Sequence, residues 1–299
     1  MNIFFHKSVI AAHDGSFHTD DVFACATLSL FLEKEKKSFK IIRTRNPNKI
    51  KTADFVVDVG AIYNEEKNRF DHHQPGGAGE RKNGIPYASF GLVWKKYGKE
   101  ICENERVAEE IDNILVCSID AVDNGYELFT KKVKGVMNFS IGDTISFLFN
   151  KDEKDSDFLE AVDFAKKILK NIIGSINRSV ARRKKVENAY KNSEDKKIII
   201  IEDRVTREDV WLVISKLEEP LFAVFQGLND DDWKVLANRI NMDSFMSRKP
   251  MPASWGGLEK ENLARITEVP DVIFCHKSLF LAAVKSKEGA IKLAKKALE

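Results

Sequence analysis

Cysteine is scarce in this chain of 299 residues, and its four copies are scattered without a Cys-x-x-Cys pair. That pattern excludes a disulfide framework and a zinc ribbon, and it is typical of a reducing compartment. The chain also lacks an apolar run near the ~18 residues of a membrane span, and its short N-terminal run does not resemble a signal peptide. We therefore expect a soluble cytoplasmic protein without a membrane partner.

A strong charge of one sign is missing as well, since 48 Lys and Arg nearly balance 46 Asp and Glu to leave a net charge of +2. No global positive field marks the chain as a nucleic-acid binder, although a local basic patch is compatible with this total. With 43% hydrophobic residues the chain can bury an ample core. Its length predicts about two domains.

Short apolar segments alternate with helical patterns in the first third of the chain. Residues 8–12, 39–43 and 54–59 are predicted strands, and residues 21–36 are a predicted helix between the first two. This β-α-β order implies an α/β fold with a parallel sheet and right-handed crossovers. The later helices predicted in this part are residues 88–99, 106–122 and 141–149.

A proline-free helical pattern over residues 155–192 is interpreted as a connector to a second domain. The strands predicted beyond it have less helix between them, which is typical of an α+β arrangement, and a helix is predicted at residues 286–298. These strands are residues 197–201, 221–226 and 233–238. The predicted organisation is a parallel-sheet catalytic domain at 1–155, a helical connector at 156–194 and a smaller substrate-binding α+β domain at 195–299.

Histidines and aspartates gather at the ends of the predicted strands. His13 follows the first strand, Asp58 lies near the end of the third, and Asp71-His72-His73 precedes a glycine-rich loop. Such strand ends meet at one edge of an open α/β sheet. Histidine with carboxylate is a ligand set for divalent transition metals, and several such clusters favour two metals and phosphoryl chemistry.

Simpler interpretations of the same residues remain open. A His-His pair alone is more often a surface or core pair, and Asp14 before Gly15 is interpreted as a turn residue. Asp58 could cap a helix, but its apolar strand makes an unpaired charge costly, so we favour it as a carboxylate bridging two metals. Three clusters at three strand ends together favour the metal interpretation.

Several strings resemble the DHH phosphoesterase superfamily and, more closely, the melanocyte-proliferating-gene (MYG) family of DHH-like metal-dependent exonucleases. They span nearly the whole chain. The strings are His13-Asp-Gly-Ser-Phe-His18-Thr-Asp20-Asp21, Arg43-Thr-Arg45, Val57-Asp58-Val59-Gly60, Phe70-Asp71-His72-His73-Gln74, Asp120-Ala-Val-Asp123-Asn-Gly125, Trp255-Gly-Gly257-Leu258 and Val269-Pro-Asp271-Val-Ile-Phe-Cys275-His276.

The resemblance implies a DHH-type domain with two metals and a set of catalytic residues, Asp20, Asp58 and His73. The first metal would be held by His13, His18 and Asp58, and the second by Asp20, Asp58, His72 and Asp123. His73 would face the substrate phosphate. Asp120 is the alternative to Asp123, which we favour because it precedes the tight turn Asn124-Gly125.

Histidine at position 18 departs from the wider superfamily, which usually has aspartate there. A neutral imidazole makes the site softer, which favours Mn²⁺ over Mg²⁺, with other divalent transition metals as alternatives.

Substrate contacts are sought among basic side chains and in the segment Pro252–Leu258. The backbone amides around Gly256 and Gly257 could approach an anion and Trp255 could stack, although an ordinary turn with a core tryptophan is an equal alternative. A run of charges is usually a solvated face. The candidate phosphate contacts are Arg43, Arg45, Arg81, Lys82, Arg182 and Arg183.

The function expected is therefore a Mn²⁺-dependent phosphodiesterase, a 3′–5′ exonuclease on single-stranded RNA or short oligonucleotides. The polymer and the direction are implied by the resemblance alone. The alternative is a small-molecule phosphoesterase or pyrophosphatase with the same metals, which the near-neutral charge favours. A third alternative is a metal-stabilised binding module without activity. The oligomeric state stays open, with a homodimer as one option.

Overall fold

In the computed structural model of the chain, the predicted strands of the first third lie side by side in one sheet. β1 (Ser8–Ala12) pairs in parallel with β2 (Phe39–Arg43) on one side and with β3 (Phe55–Val57) on the other. The hairpin of β4 (Tyr63–Asn64) and β5 (Arg69–Phe70) extends the sheet, because β5 pairs in parallel with β3. The strand order is β2-β1-β3-β5-β4, which confirms the α/β class with a parallel sheet.

The structure describes residues 7–130, 132–149, 152, 154–229 and 231–299. They divide into a first unit, Met1–Asn177, and a second unit, Arg178–Glu299. No helix among these described residues has both the length and the apolar character needed to cross a membrane.

Helix α1 (Thr19–Lys34) is buried along nearly its whole length and packs against a later helix of the same unit. A capping box, in which the N-cap His18 and Asp21 bond to each other's backbone, fixes where α1 begins. Phe23, Leu28 and Leu32 are almost fully buried, and each such side chain contributes roughly 1.5–3 kcal/mol of transfer free energy. A buried helix therefore carries Asp20 and Asp21 in its first turn.

The remaining helices of the first unit follow mostly as predicted, with one departure. The single helix predicted at residues 106–122 is instead two short α-helices. A π-helical segment, Asp112–Val116, connects them without a break. The short α2 follows β2 and was not predicted. The helices are α2 (Pro47–Thr52), α3 (Ser89–Cys102), α4 (Glu105–Ile111), α5 (Cys117–Asp123) and α6 (Ile141–Leu148). The long helix α7 (Asp155–Asn192) begins in the first unit and ends in the second.

The second unit has a sheet with a core on each face. Strand β7 shows why: Phe222 and Val224 lie in one core, while Ala223 and Phe225 lie in the other, as the two-residue period of a strand requires. β6 pairs in parallel with β7, and the other pairs of the order β6-β7-β8-β10-β9 are antiparallel. The strands are β6 (Ile198–Arg204), β7 (Phe222–Gln226), β8 (Trp233–Ala237), β9 (Val272–Cys275) and β10 (Leu281–Val284).

Three α-helices follow α7 in the described part of the second unit. α8 (Arg207–Ile214) begins at Thr206, whose side chain accepts a hydrogen bond from the backbone N–H of Asp209. α9 (Lys260–Thr267) and α10 (Lys287–Leu298) bury their apolar faces in one and the same core. Of these, only α10 was predicted, and β9 and β10 were also missed.

Candidate metal centre

The first group of metal-binding side chains lies where β1 and β3 end. His13 follows β1 directly, His18 caps α1, and Asp58 follows β3. Ligand atoms of these three residues all lie within 4.8 Å of one another. The His13 Nε2 atom is 3.4 Å from Asp58 Oδ2, and both side chains are buried. The group contains the three residues that the resemblance implies for a first metal.

The second group is built from α1, the His-His pair and the end of α5. Ligand atoms of Asp20, His72 and Asp123 lie within 4.8 Å of one another, as do those of Asp58, His72 and His73. Asp58 and His72 therefore each belong to two of the three groups. The structure thus brings all the predicted metal ligands to one edge of the first sheet.

Asp58 has an unusual backbone conformation, with a φ of +54°. Among residues with a side chain, aspartate and asparagine enter this left-handed region most readily. The turn directs the carboxylate toward the histidines, and its Oδ1 atom accepts a hydrogen bond of 3.1 Å from the Ser89 hydroxyl. Burial alone would raise the pKa of Asp58, but His72 and His13 lower it below its ordinary value. The carboxylate is therefore held in its ionised, ligand form.

His72 faces the two carboxylates without a well-formed hydrogen bond. Its Nε2 atom lies 3.2 Å from Asp123 Oδ2 and 3.4 Å from Asp58 Oδ1, yet this buried nitrogen has no hydrogen-bond partner of acceptable geometry. Burial disfavours its charged form, but Asp123 and Asp58 prevail and raise the pKa of His72 to about 10. The local field favours a cation at this position, and an imidazole nitrogen among carboxylates is a suitable donor for a transition metal.

Asp20 carries much of the electrostatic cost of the cluster. It is 1% exposed, and its two oxygens accept hydrogen bonds from the backbone N–H groups of Ser89 and Phe90, at 3.1 and 2.7 Å. Burial, with the charges of Asp58 and Asp123, raises the pKa of Asp20 well above its ordinary value. A divalent cation would relieve this repulsion, so the residues present fit a metal.

Three supporting residues were not singled out as site residues from the sequence. The Oδ2 atom of Asp21 lies 2.9 Å from His13 Nε2, and the Oδ1 atom of Asp21 accepts a hydrogen bond from the His18 backbone N–H. Asp71 accepts from the backbone N–H groups of His73 and Ala61 and lies 2.8 Å from His73 Nδ1. Ser89 holds Asp58. Asp21 follows the N-cap by three residues, a capping-box signal that could have identified it.

A cavity of about 730 Å³ opens over this edge of the first sheet. His13, His18, Asp58 and His73 line it, and the His73 side chain is 60% exposed. Arg45 also lines it, with its Nε atom 3.3 Å from Asp14 Oδ1 and the guanidinium largely exposed. Of the predicted phosphate contacts, Arg45 is the one that this cavity includes.

Two other candidate phosphate contacts of the first unit, Arg43 and Arg81, do not line this cavity. The Arg43 side chain is 2% exposed, donates to the backbone oxygens of His13 and Gly15, and lies against aromatic rings. Arg81 donates from Nη1 to Asp120 at 2.6 Å and from Nη2 to Asp112 at 2.8 Å. Each guanidinium group is occupied within the protein, and its contact with a phosphate stays a prediction.

The hydrogen bond from Arg81 to Asp120 disfavours the alternative in which Asp120 is a metal ligand. Asp120 is fully buried, and its other oxygen accepts from the Gly91 backbone N–H at 3.0 Å. Among the described residues, Asp123 joins a metal-binding group and Asp120 joins none.

In the second unit, Arg182 binds the carboxylate of Asp209, which also accepts from Ser179 and Thr206. Arg183 is 3% exposed. Arg182 is thus paired and Arg183 buried, and a phosphate contact by either stays a prediction. Lys82, in the first unit, is exposed but lines a different cavity from the metal centre.

The structure of the segment around Trp255 is that of an ordinary turn with a core tryptophan. Trp255 is 4% exposed and packs in a core of the second unit, so its indole is not available for stacking. The backbone N–H groups of Trp255, Gly256 and Gly257 donate to Pro252, Ala253 and Cys275. These amides already have partners, and the anion site at Gly256 and Gly257 stays a prediction.

We expect the Trp255→Ala variant to lose about 3–5 kcal/mol of unfolding free energy, because it leaves a large void in a packed core. Its KM for a small phosphodiester should remain that of the unaltered protein. Urea denaturation and steady-state kinetics on bis-p-nitrophenyl phosphate measure the two quantities. A raised KM with unaltered stability would restore the stacking role.

Comparison with known proteins places the chain among relatives of similar length. A family model described as an uncharacterised protein family (MYG1_exonuc, UPF0160) matches residues 9–298. The chain belongs to the MYG1 family. It is 31% identical to a MYG1 protein of Dictyostelium discoideum, over 97% of this chain and 96% of the relative. It is 27% identical to the MYG1 exonuclease of Homo sapiens, over 97% and 85% of the two chains.

Membership of the MYG1 family confirms the resemblance found in the sequence and the expectation of a phosphoester hydrolase. Among solved structures, the chain is similar to an exonuclease RecJ bound to manganese, with 11% identity and a TM-score of 0.26 over 98% of this chain and 90% of that one. At this level the structural likeness has no weight of its own.

Proposed function

We propose that the chain is a Mn²⁺-dependent 3′–5′ exonuclease that hydrolyses phosphodiester bonds in RNA or short oligonucleotides. The observation that carries the proposal is the overlap of three His and Asp groups, two of which contribute side chains to the lining of one cavity of about 730 Å³. The names of its mammalian relatives support an exonuclease. The RNA substrate and the 3′–5′ direction rest on the resemblance found in the sequence.

The ligands we propose are His13, His18 and Asp58 for one metal and Asp20, Asp58, His72 and Asp123 for the other. A pair of divalent metals supplies Lewis-acid stabilisation of the phosphate and lowers the pKa of water toward neutrality. The three carboxylates do not fully neutralise two dications, so the centre would keep a positive charge that suits a phosphate anion.

The chain's own contribution is to orient these groups and to bind the substrate. Asp71 holds the Nδ1 side of His73, so the Nε2 atom of this exposed ring is left for the substrate. His73 would donate to a non-bridging phosphate oxygen, and this bond would strengthen as negative charge develops there. Arg45 at the same cavity would bind the next phosphate.

Hydrolysis assays test the proposal directly. The substrates are a short RNA labelled at its 5′ end, bis-p-nitrophenyl phosphate and inorganic pyrophosphate, each with Mn²⁺, Mg²⁺ or EDTA. We expect a Mn²⁺-dependent ladder that shortens from the 3′ end, and no reaction in EDTA. Turnover of pyrophosphate alone would instead favour the small-molecule alternative. No turnover of any substrate, with metal shown to be bound, would favour a binding module.

A further inference from the structure

A second cavity, of about 430 Å³, lies in the second unit and is lined by arginines and aromatic rings. Arg239 lies over Trp211, with its Cζ atom 3.7 Å from the ring centroid, and Arg207 lies 5.1 Å from the same ring. Trp211 is 4% exposed, and its indole N–H donates to Ala237 O at 3.0 Å. The indole ring is thus held in place by burial and by its hydrogen bond, and both guanidinium groups pack against it.

Arg239 is poorly compensated in this cavity. Arg207 has a carboxylate neighbour in Glu208, at 2.8 Å from its Nη2 atom, whereas no ion pair within the described part of the chain includes Arg239. Burial and the nearby charge of Arg207 lower the pKa of Arg239 from its ordinary value. Two cations placed side by side, one of them without a carboxylate partner, form a site that favours an anion.

An aromatic side chain rises beside the two arginines. Phe245 is 91% exposed, and its ring centroid lies 5.3 Å from Arg239 Cζ. An antiparallel bridge between Arg239 and Ser247 and the hydrogen bond from Ile240 N–H to Met246 O close the loop that carries it. An exposed phenyl ring costs free energy in water, so a partner with a flat apolar face would gain by covering it.

We propose that this cavity binds one nucleotide of a single-stranded nucleic acid, with its phosphate at Arg207 and Arg239 and its base stacked on Phe245. Ser278 also lines the cavity, and its hydroxyl would be a further donor to this phosphate. Stacking platforms beside cationic groups are the means by which proteins bind single strands without reading their sequence. The choice of a nucleotide over another anion rests on the proposed function, whereas the cavity is separate from the metal centre in its residues.

Binding is measured by fluorescence anisotropy in EDTA, so that no hydrolysis occurs. The probes are a labelled octauridylate and a labelled abasic oligomer of the same length, which has phosphates but no bases. We expect Phe245→Ala to weaken octauridylate binding about tenfold and to leave abasic binding unaltered, because only stacking is lost. Since Phe245 is almost fully exposed, this variant should fold normally.

Arg239→Gln should weaken the binding of both probes and should reduce the slope of log affinity against log salt by about 0.7, the loss of one phosphate contact on a single strand. The matched control is Arg265→Gln, which removes an exposed arginine of α9 outside the cavity and should leave both affinities unaltered. Unaltered octauridylate binding in both Phe245→Ala and Arg239→Gln would overturn the proposal. If Phe245→Ala weakened the binding of both probes equally, the proposed stacking of a base on Phe245 would also be rejected.

Hydrolysis of bis-p-nitrophenyl phosphate by the unaltered protein separates this proposal from the proposed function. Turnover of that small diester together with normal binding by both variants would reject only the nucleotide site. Its absence would reject the hydrolase, and the anisotropy data would still decide whether the cavity binds a nucleotide.

Discussion

The Asp58→Asn variant is expected to lose about a thousandfold or more of its Mn²⁺-dependent activity on bis-p-nitrophenyl phosphate. Asp58 is shared by two of the three metal-binding groups, so its neutral amide would weaken both. Asparagine is nearly isosteric and accepts the left-handed φ of +54°, so the backbone should be retained. Its amide oxygen can still accept from Ser89. The loss would therefore report on charge and not on misfolding.

Thermal melting provides the second readout for this variant. A metal present at 100 times its Kd stabilises the folded chain by about 2.7 kcal/mol, which raises the melting temperature by roughly 5–10 °C for a domain of this size. We expect the unaltered protein to show this increase with Mn²⁺ and Asp58→Asn to lose most of it. Without metal the variant should be slightly less stable, because the histidines that lower the pKa of Asp58 also stabilise its charge.

Asp54→Asn is the matched control, since Asp54 lies just before the same strand and outside every metal-binding group. Its carboxylate accepts from the Val9 backbone N–H, a bond that an amide oxygen can keep. This variant should retain both activity and the response to Mn²⁺. Full activity in Asp58→Asn would reject Asp58 as a ligand, and equal losses in the two variants would indicate a general effect on the sheet.

The Arg81→Met variant is expected to lose about 3–5 kcal/mol of unfolding free energy at pH 8. Arg81 neutralises Asp120, which is fully buried, and removing its guanidinium would leave that carboxylate without a cation. Methionine retains much of the apolar stem, so the loss reports mainly on charge. Urea denaturation measures it. Arg106→Met is the control: Arg106 has a partly exposed ion pair with Glu110, and its loss should cost at most about 1 kcal/mol.

The loss in Arg81→Met should also depend on pH. Burial raises the pKa of Asp120 to about 7, although Arg81 opposes that shift. Between its ordinary pKa and this value the folded state binds more protons than the unfolded state, so stability falls as the pH rises. Without Arg81 the folded pKa rises further, and the variant should therefore be less impaired at pH 6 than at pH 8. Adding Asp120→Asn should remove that difference, and equal losses at both pH values would contradict the explanation.

The sequence was informative where a local pattern determines the structure. The proline-free apolar pattern over residues 155–192 has the same bounds as α7. The candidate ligands converge because β1 and β3 are parallel neighbours, so that His13 and Asp58 follow strands ending on the same side. Strands of two residues, such as β4 and β5, are too short to show any period and were not predicted.

Contacts between side chains that are distant along the chain could not be predicted. Arg81 and Asp120 are 39 residues apart, so nothing near Arg81 indicates that its charge is already neutralised. Arg182 and Trp255 were candidate substrate contacts, and each is held by residues of another element. Conversely, the arginine and aromatic cavity of the second unit joins α8, the loop after β8 and the turn between β9 and β10, a combination that no single stretch of sequence displays.

The π-helical segment Asp112–Val116 sets the rotational phase of α5, the helix that continues from it. A π-turn accommodates one residue more than an α-helical turn, and each residue of an α-helix advances by about 100° around the axis. Deleting one residue here would restore a uniform α-helix and turn α5 by that angle. Asp120 would then point away from Arg81, and Asp123 away from His72. The length of this segment therefore aligns a structural carboxylate and a candidate ligand with their partners at once.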